Sequence, residues 1–213
     1  MYYTGNFFRK GNKSYLHIIS INGKTKNETK AINVFTGVDP ASSIKQGADY
    51  SVIFNVGIDE DENRYALPYY RKRATPLNLA EAIVDNFKKY QSEKTRIESV
   101  GYQEMLREYV IKRSKDEGIF IPGLNIKENP RTSKSYRLES LQPLFAKQKV
   151  HILEEQLDFI DELLLFPRGK HDDILDGFFY ANKGSYTPYH SYEDAMLVTM
   201  GKRIINKIDW QTA

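Results

Sequence analysis

Residues 50–58 form an apolar run rich in β-branched side chains, and this run restricts the fold more than any other stretch. An acidic turn, Asp59-Glu60-Asp61-Glu62-Asn63, ends it, and residues 64–70 return with strand-like character. The pattern predicts a hairpin. Just upstream, residues 31–38 carry Ile32, Val34 and Val38 and stop at Asp39-Pro40, which adds another strand. After the hairpin the periodicity changes. Thr75 and Pro76 have the chemistry of an N-cap and a first helical residue. Ala80, Ile83, Val84, Phe87 and Tyr90 then recur at helical spacing.

From there the chain alternates. Residues 96–100 read as a short strand, 103–117 as a helix closed by Gly118, and 119–121 as another strand. A basic polar loop follows at 127–134, then a helical pattern at 135–141, a strand at 149–152 and a helix at 154–165. Pro167-Arg168-Gly169 breaks the chain before a helix at 172–181, with Ile174, Leu175, Phe178 and Phe179 inward. A last helix is expected at 192–205. Residues 1–30, rich in Asn, Lys, Gly, Thr and Tyr, read as an arm or linker carrying one strand at 15–21. Residues 31–213 form the body.

Three antiparallel-looking strands followed by alternating helices and strands predict an α/β protein, a mixed sheet with helices on both faces. That layout is compatible with the ribonuclease H-like fold. The 213 residues suffice for one large domain, or for a domain with an appendage. There is no cysteine, which excludes disulfides, thiolate chemistry and zinc sites built on Cys. No apolar run is long enough to span a bilayer, and the N-terminus carries no signal-like apolar core, so neither a membrane nor secretion is expected. The net charge of +3 and pI near 8.8 are compatible with a nucleic-acid partner. Gly23-Lys24-Thr25 ends like a phosphate loop, but Ile18 stands where the first glycine is required, so it reads as a decoy.

Certain acids fall where acids are costly. Asp39 ends a strand, Glu98 lies in a strand between Ile97 and Val100, and Asp172 and Asp173 open a helix. Each alone has a bland reading: a turn before proline, a solvated edge, and favourable contact with a helix dipole. Together they would gather carboxylates at one edge of the sheet. Hard divalent cations prefer such oxygens, and two ions in such a cluster support in-line phosphoryl displacement.

At these residues the sequence resembles the nuclease domain of phage large terminase subunits. Gly37-Val38-Asp39-Pro40-Ala41 resembles the family's first catalytic strand. Arg96-Ile97-Glu98-Ser99-Val100-Gly101-Tyr102-Gln103 resembles its second acidic strand and the start of the following helix. Gly169-Lys170-His171-Asp172-Asp173-Ile174-Leu175-Asp176-Gly177 resembles the closing motif, and Arg137-Leu138-Glu139-Ser140-Leu141-Gln142-Pro143-Leu144-Phe145 the stretch before the last strands. The resemblance implies a ribonuclease H-like fold and hydrolysis of double-stranded concatemeric DNA with two Mg²⁺ or Mn²⁺ ions. It implies Asp39, Glu98 and an Asp of the closing helix as catalytic metal ligands. Asp172, Asp173 and Asp176 all lie outside the apolar arc of that helix, so periodicity does not choose among them. Asp173 is favoured, then Asp172, with Asp176 third. His171 reads either as a contact to phosphate or acid, or as an exposed loop histidine.

The family's partners would be an ATPase motor domain, absent from this chain, together with the portal and the small terminase subunit. The place of action would be the cytoplasm of an infected host cell. Phosphate contacts are expected from Arg71, Lys72, Arg73, Lys127, Arg131, Lys134 and Lys170. No zinc-finger or helix-turn-helix spacing occurs, so low sequence specificity is expected. The competing readings are a resolvase or transposase-like nuclease of the same fold and a module that binds DNA without cutting it.

Overall fold

The structure, a computed structural model, describes residues 1–41, 50–98, 103–124 and 133–188. The expected helix at 192–205 and the candidate phosphate contacts Lys127 and Arg131 lie outside the described residues. Among the described residues the strands are β1 (Tyr2–Lys10), β2 (Lys13–Ile21), β3 (Lys24–Asp39), β4 (Ser51–Ile58), β5 (Arg64–Ala66), β6 (Tyr70–Lys72), β7 (Lys94–Ile97) and β8 (Val150–Leu153). The helices are α1 (Pro76–Tyr90), α2 (Gln103–Asp116), α3 (Lys134–Glu139), α4 (Gln142–Ala146), α5 (Leu157–Leu165) and α6 (Asp173–Asn182). None of them is long and apolar enough to cross a membrane.

The sheet is mixed. β3 runs antiparallel to β2 and β4 but parallel to β7, and β8 runs parallel to β1 and β5. α1 and α2 bury Leu79, Ile83, Leu106 and Val110 against Val38 and Ile53 on one face. α5 and α6 bury Phe159, Ile174 and Phe178 against Phe35, Val52 and Phe54 on the other. The expected α/β architecture with helices on both faces is therefore the observed one. Every residue of β4 is buried, as its unbroken apolar run requires in a strand covered on both sides.

The segment 1–30 differs from its reading as an arm with one strand. It forms β1, β2 and the first half of β3. Asn22 and Gly23, both at positive φ, make the two-residue turn that joins Ile21 to Lys24. The phosphate-loop look-alike is thus a hairpin turn running into β3. The pairings β3–β4, β4–β5, β5–β8, β8–β1, β1–β2 and β2–β3 close a ring. Its interior holds Tyr3, Leu16, Ile18, Ile32, Tyr65 and Leu153, and Tyr90 of α1 packs with them.

Local chemistry explains the other departures. The expected strand at 64–70 is split. Val56 faces Ala66 and Ile53 faces Tyr70, so one extra residue is absorbed around Pro68, which has no N–H to give to a ladder. Residues 119–121 are not a strand. Ile121 is instead buried beside α1 and α2, and Thr95 N–H donates to the Pro122 carbonyl at 2.8 Å. Gly123, at φ +93°, lets the chain pass so close to β7 that a Cβ would lie 2.7 Å from the Thr95 carbonyl oxygen. At α1 the expected cap is present, with Thr75 Oγ1 accepting from the Asn78 N–H at 3.2 Å.

Candidate active site

Side chains alternate along a strand, and β3 sends Phe35, Gly37 and Asp39 to the face covered by α6. Gly37 sets how closely α6 approaches. A Cβ there would sit 2.1 Å from the Gly177 carbonyl oxygen and 2.4 Å from the Ala181 nitrogen. On the helix side, a Cβ on Gly177 would meet the Val52 side chain at 3.0 Å. Two glycines therefore let the helix backbone lie against β3 and β4, with the first turn of α6 directed past the end of β3.

The neighbouring parallel strand brings the second acid. Gly37 pairs with Arg96 and Val38 with Ile97, and the Glu98 N–H extends the ladder to the Val38 carbonyl at 3.1 Å. Asp39 and Glu98 thus follow paired residues on adjacent strands and point to the same face. Strand spacing puts their backbones about 5 Å apart. Carboxylates brought to one sheet edge in this way repel one another. Such a pair favours a nearby cation.

The helix supplies the others. Asp173 and Asp176 are buried, and with Gly177 and Tyr180 they follow the i, i+3, i+4, i+7 spacing of one helix stripe. Asp173 Oδ2 accepts from the Tyr50 N–H at 3.1 Å, and His171 Nδ1 lies 3.8 Å from the same oxygen. Asp172 is the N-cap residue by position, half-buried, and makes no side-chain cap bond.

Arg137 of α3 reaches into this cluster. Its Nη1 donates to Glu98 Oε1 at 3.2 Å and to the Tyr180 hydroxyl at 2.5 Å, while Nη2 stands 3.7 Å from Asp176 Oδ1. Tyr180 in turn donates to Glu98 Oε1 at 2.8 Å. Burial, together with the charge of Glu98, pushes the Tyr180 hydroxyl well above the usual tyrosine range, so it remains a donor.

A support layer lies behind Asp173. Glu162 of α5 is buried, and its Oε2 accepts from the N–H groups of Ile174 and Leu175 at 2.9 and 3.3 Å. It thereby satisfies donors that the start of α6 leaves open. Its Oε1 accepts from Arg71 Nη2 at 2.9 Å. Burial pushes the Glu162 carboxyl up to about 7 despite Arg71. The guanidinium carbons of Arg71 and Arg73 lie 4.4 and 4.3 Å from the centre of the Tyr50 ring.

The chemistry of the donor set, carboxylates at one sheet edge, fits a hard divalent cation. In their present pose, no three His, Asp or Glu side chains among the described residues stand close enough to hold an ion. Glu98 and Asp176 are turned toward Arg137 and Asp173 toward Tyr50.

Among the basic candidates, Lys72, Arg73 and Lys170 are exposed. Arg71 is committed to Glu162 and Asp158. Lys134 begins α3. The sequence reading missed the roles of Glu162, Tyr50, Tyr180 and Arg137. A signal existed for Glu162, a carboxylate three residues from Phe159 on the buried side of an apolar helix. Arg137 and Tyr180 carried no signal, because their partners are remote in the chain.

Comparison with known proteins matches residues 36–183 to the family described as the terminase RNaseH-like domain. None of the curated proteins compared with the chain matches it. Among solved structures, the large terminase nuclease of thermophilic phage G20c with bound zinc is similar at a TM-score of 0.55 and 18% identity, covering 84% of this chain and 92% of that one. The same nuclease with bound magnesium gives 0.50 and 20%, covering 84% and 90%. The P22 large terminase nuclease domain gives 0.52 and 15%, covering 70% and 79%.

Proposed function

Because the chain belongs to the terminase RNaseH-like family, we propose that it is a divalent-metal-dependent endonuclease that cuts double-stranded concatemeric DNA during viral genome packaging. The observation that carries this reading is the placement of Asp39 and Glu98 at the ends of adjacent parallel strands, beside the start of the helix that presents Asp173 and Asp176. The similarity in fold to a nuclease solved with bound magnesium and with bound zinc supports it.

In this reading Asp39, Glu98 and Asp173 hold the metal, with Asp176 behind them and Asp172 at the rim. Two bound Mg²⁺ or Mn²⁺ ions would supply activation of a water and stabilisation of the leaving oxygen in phosphodiester hydrolysis. The protein's own residues keep the carboxylates in place. Glu162 fixes the first turn of α6, and Gly37 fixes its height over β3. Tyr50 N–H orients Asp173. Lys72, Arg73, Lys127, Arg131, Lys134 and Lys170 hold DNA phosphates. Arg71 serves as a support, since its charge is spent on Glu162 and Asp158.

The catalytic unit is assigned to residues 31–213, with residues 1–30 supplying β1, β2 and the first half of β3. The portal, the small terminase subunit and an ATPase motor are the partners, and the infected cell's cytoplasm is the place of action. Plasmid cleavage with Mg²⁺ or Mn²⁺ tests the reading. Cleavage is expected for the wild-type chain and is lost in Asp39→Ala; undiminished cleavage by that variant overturns the site.

A further inference from the structure

Arg137 does something that a bystander would not. Its side chain is 9% exposed, and it lies between two of the acids assigned above, touching Glu98 at 3.2 Å and Asp176 at 3.7 Å. Its helix is only six residues long, capped by Ser133 and anchored in the core by Leu138, with Leu141 following it into the same core. The anchor leaves Arg137 aimed at the sheet edge. Tyr180 makes the contact specific, because its hydroxyl accepts from Arg137 while donating to Glu98. The result is a closed triangle of Arg137, Tyr180 and Glu98, with Asp176 at its side.

We propose that Arg137 is an internal counter-cation that holds Glu98 and Asp176 when metal is absent and competes with a divalent ion for them. The inference rests on the nuclease reading above and deepens it. A guanidinium keeps its proton at all ordinary pH, so Arg137 always offsets one of the two negative charges beside it. It also stands beside two carboxylates, hydrogen-bonded to Glu98 and ion-paired with Asp176, as a divalent ion could bridge them. The two kinds of occupant compete for Glu98 Oε1. An ion bound at that oxygen requires Arg137 to withdraw. The device lowers the negative charge of the metal-free cluster, and it makes full metal loading harder than the acids alone would allow.

The test is calorimetric titration of Mn²⁺ into the full chain, with no DNA present, comparing wild type with Arg137→Met and Arg137→Lys. Loss of a positive charge within about 4 Å of the ligands is expected to tighten Mn²⁺ binding in Arg137→Met by at least about tenfold. Arg137→Lys keeps the charge and stays near wild type. Thermal melts supply a second readout: Arg137→Met melts lower than wild type without metal and regains the difference when Mn²⁺ is added. If Arg137→Met does not fold, Tyr180→Phe replaces it. That variant loosens the same contact and is expected to tighten Mn²⁺ binding to a smaller degree. A wild type that binds Mn²⁺, with Arg137→Met or Tyr180→Phe binding no tighter, overturns the role of Arg137 and leaves the nuclease reading standing. Absence of Mn²⁺ binding in wild type and variants alike overturns both.

Discussion

The carboxylate of Glu162 in α5 accepts a hydrogen bond from the backbone N–H of Ile174 in α6 at 2.9 Å. One helix thus caps the next, and the capped turn carries Asp173 and Asp176. Replacing Glu162 with alanine removes the cap and leaves Arg71 without its buried partner. We expect a loss of about 3 kcal/mol in unfolding free energy by urea titration at pH 5. Glu162→Gln retains an oxygen acceptor and is expected to lose much less. The two variants also separate in their dependence on pH. The folded-state carboxyl is raised to about 7 by burial, above its ordinary value of 4.5. The folded protein then binds more protons than the unfolded chain between these values. Glu162 therefore favours folding fully below about pH 4.5, and its contribution is lost as pH rises through 7. Glu162→Gln should flatten that slope by up to about 3 kcal/mol. An unchanged slope would contradict the assignment.

Gly37 and Gly177 define the second expectation. A methyl group at position 37 would stand 2.1 Å from the Gly177 carbonyl, which is backbone and cannot swing aside. Gly37→Ala must push α6 off β3. We expect destabilisation of about 3 kcal/mol, together with weaker metal binding, because Asp173 moves with the helix. A variant with wild-type melting temperature and wild-type Mn²⁺ affinity would rule out this packing.

His151 gives a pH effect of opposite sign. It is 3% exposed and stacks on Tyr65 with ring centres 4.8 Å apart. Burial, and then the nearby Met1 ammonium, depress its imidazole to about 4 from 6.5. The unfolded chain therefore binds the proton more readily. The stability this neutral ring supports is present above about pH 6.5 and is lost as pH falls through 4. His151→Phe should reduce the acid-side loss by up to about 3 kcal/mol. Unfolding free energies at pH 7 and pH 4.5 measure the difference. An equal loss in variant and wild type would assign the acid sensitivity elsewhere.

Much of the architecture could be read from local pattern. The apolar run at 51–58 is a strand buried on both faces, and Thr75-Pro76 opens a helix because a hydroxyl cap and a proline belong there. The acids at 39 and 98 stood out for a related reason: carboxylates in apolar strands require a partner. The helix expected at 172–181 was legible too, observed as Asp173–Asn182, but the choice among Asp172, Asp173 and Asp176 was not. Periodicity assumes one buried stripe, and α6 is buried against β3 and β4 on one side and α5 on another. Asp173 and Asp176 are consequently enclosed although they lie outside the apolar arc.

The sequence alone determined most of the strands and helices from residue 31 onward, the mixed sheet covered on both faces, and the positions of acids worth explaining. These depend on neighbours a few residues apart, which hydrophobic spacing and capping chemistry record. Tertiary structure decided that residues 1–30 close a ring with β8, since Tyr2 pairs with Ile152 and no local pattern encodes so distant a partner. It also decided that Arg137, Tyr180 and Glu98 meet, across 43 and 82 residues of chain. A long-range ion pair is a property of two surfaces brought together by packing, and it leaves no periodic trace in the chain.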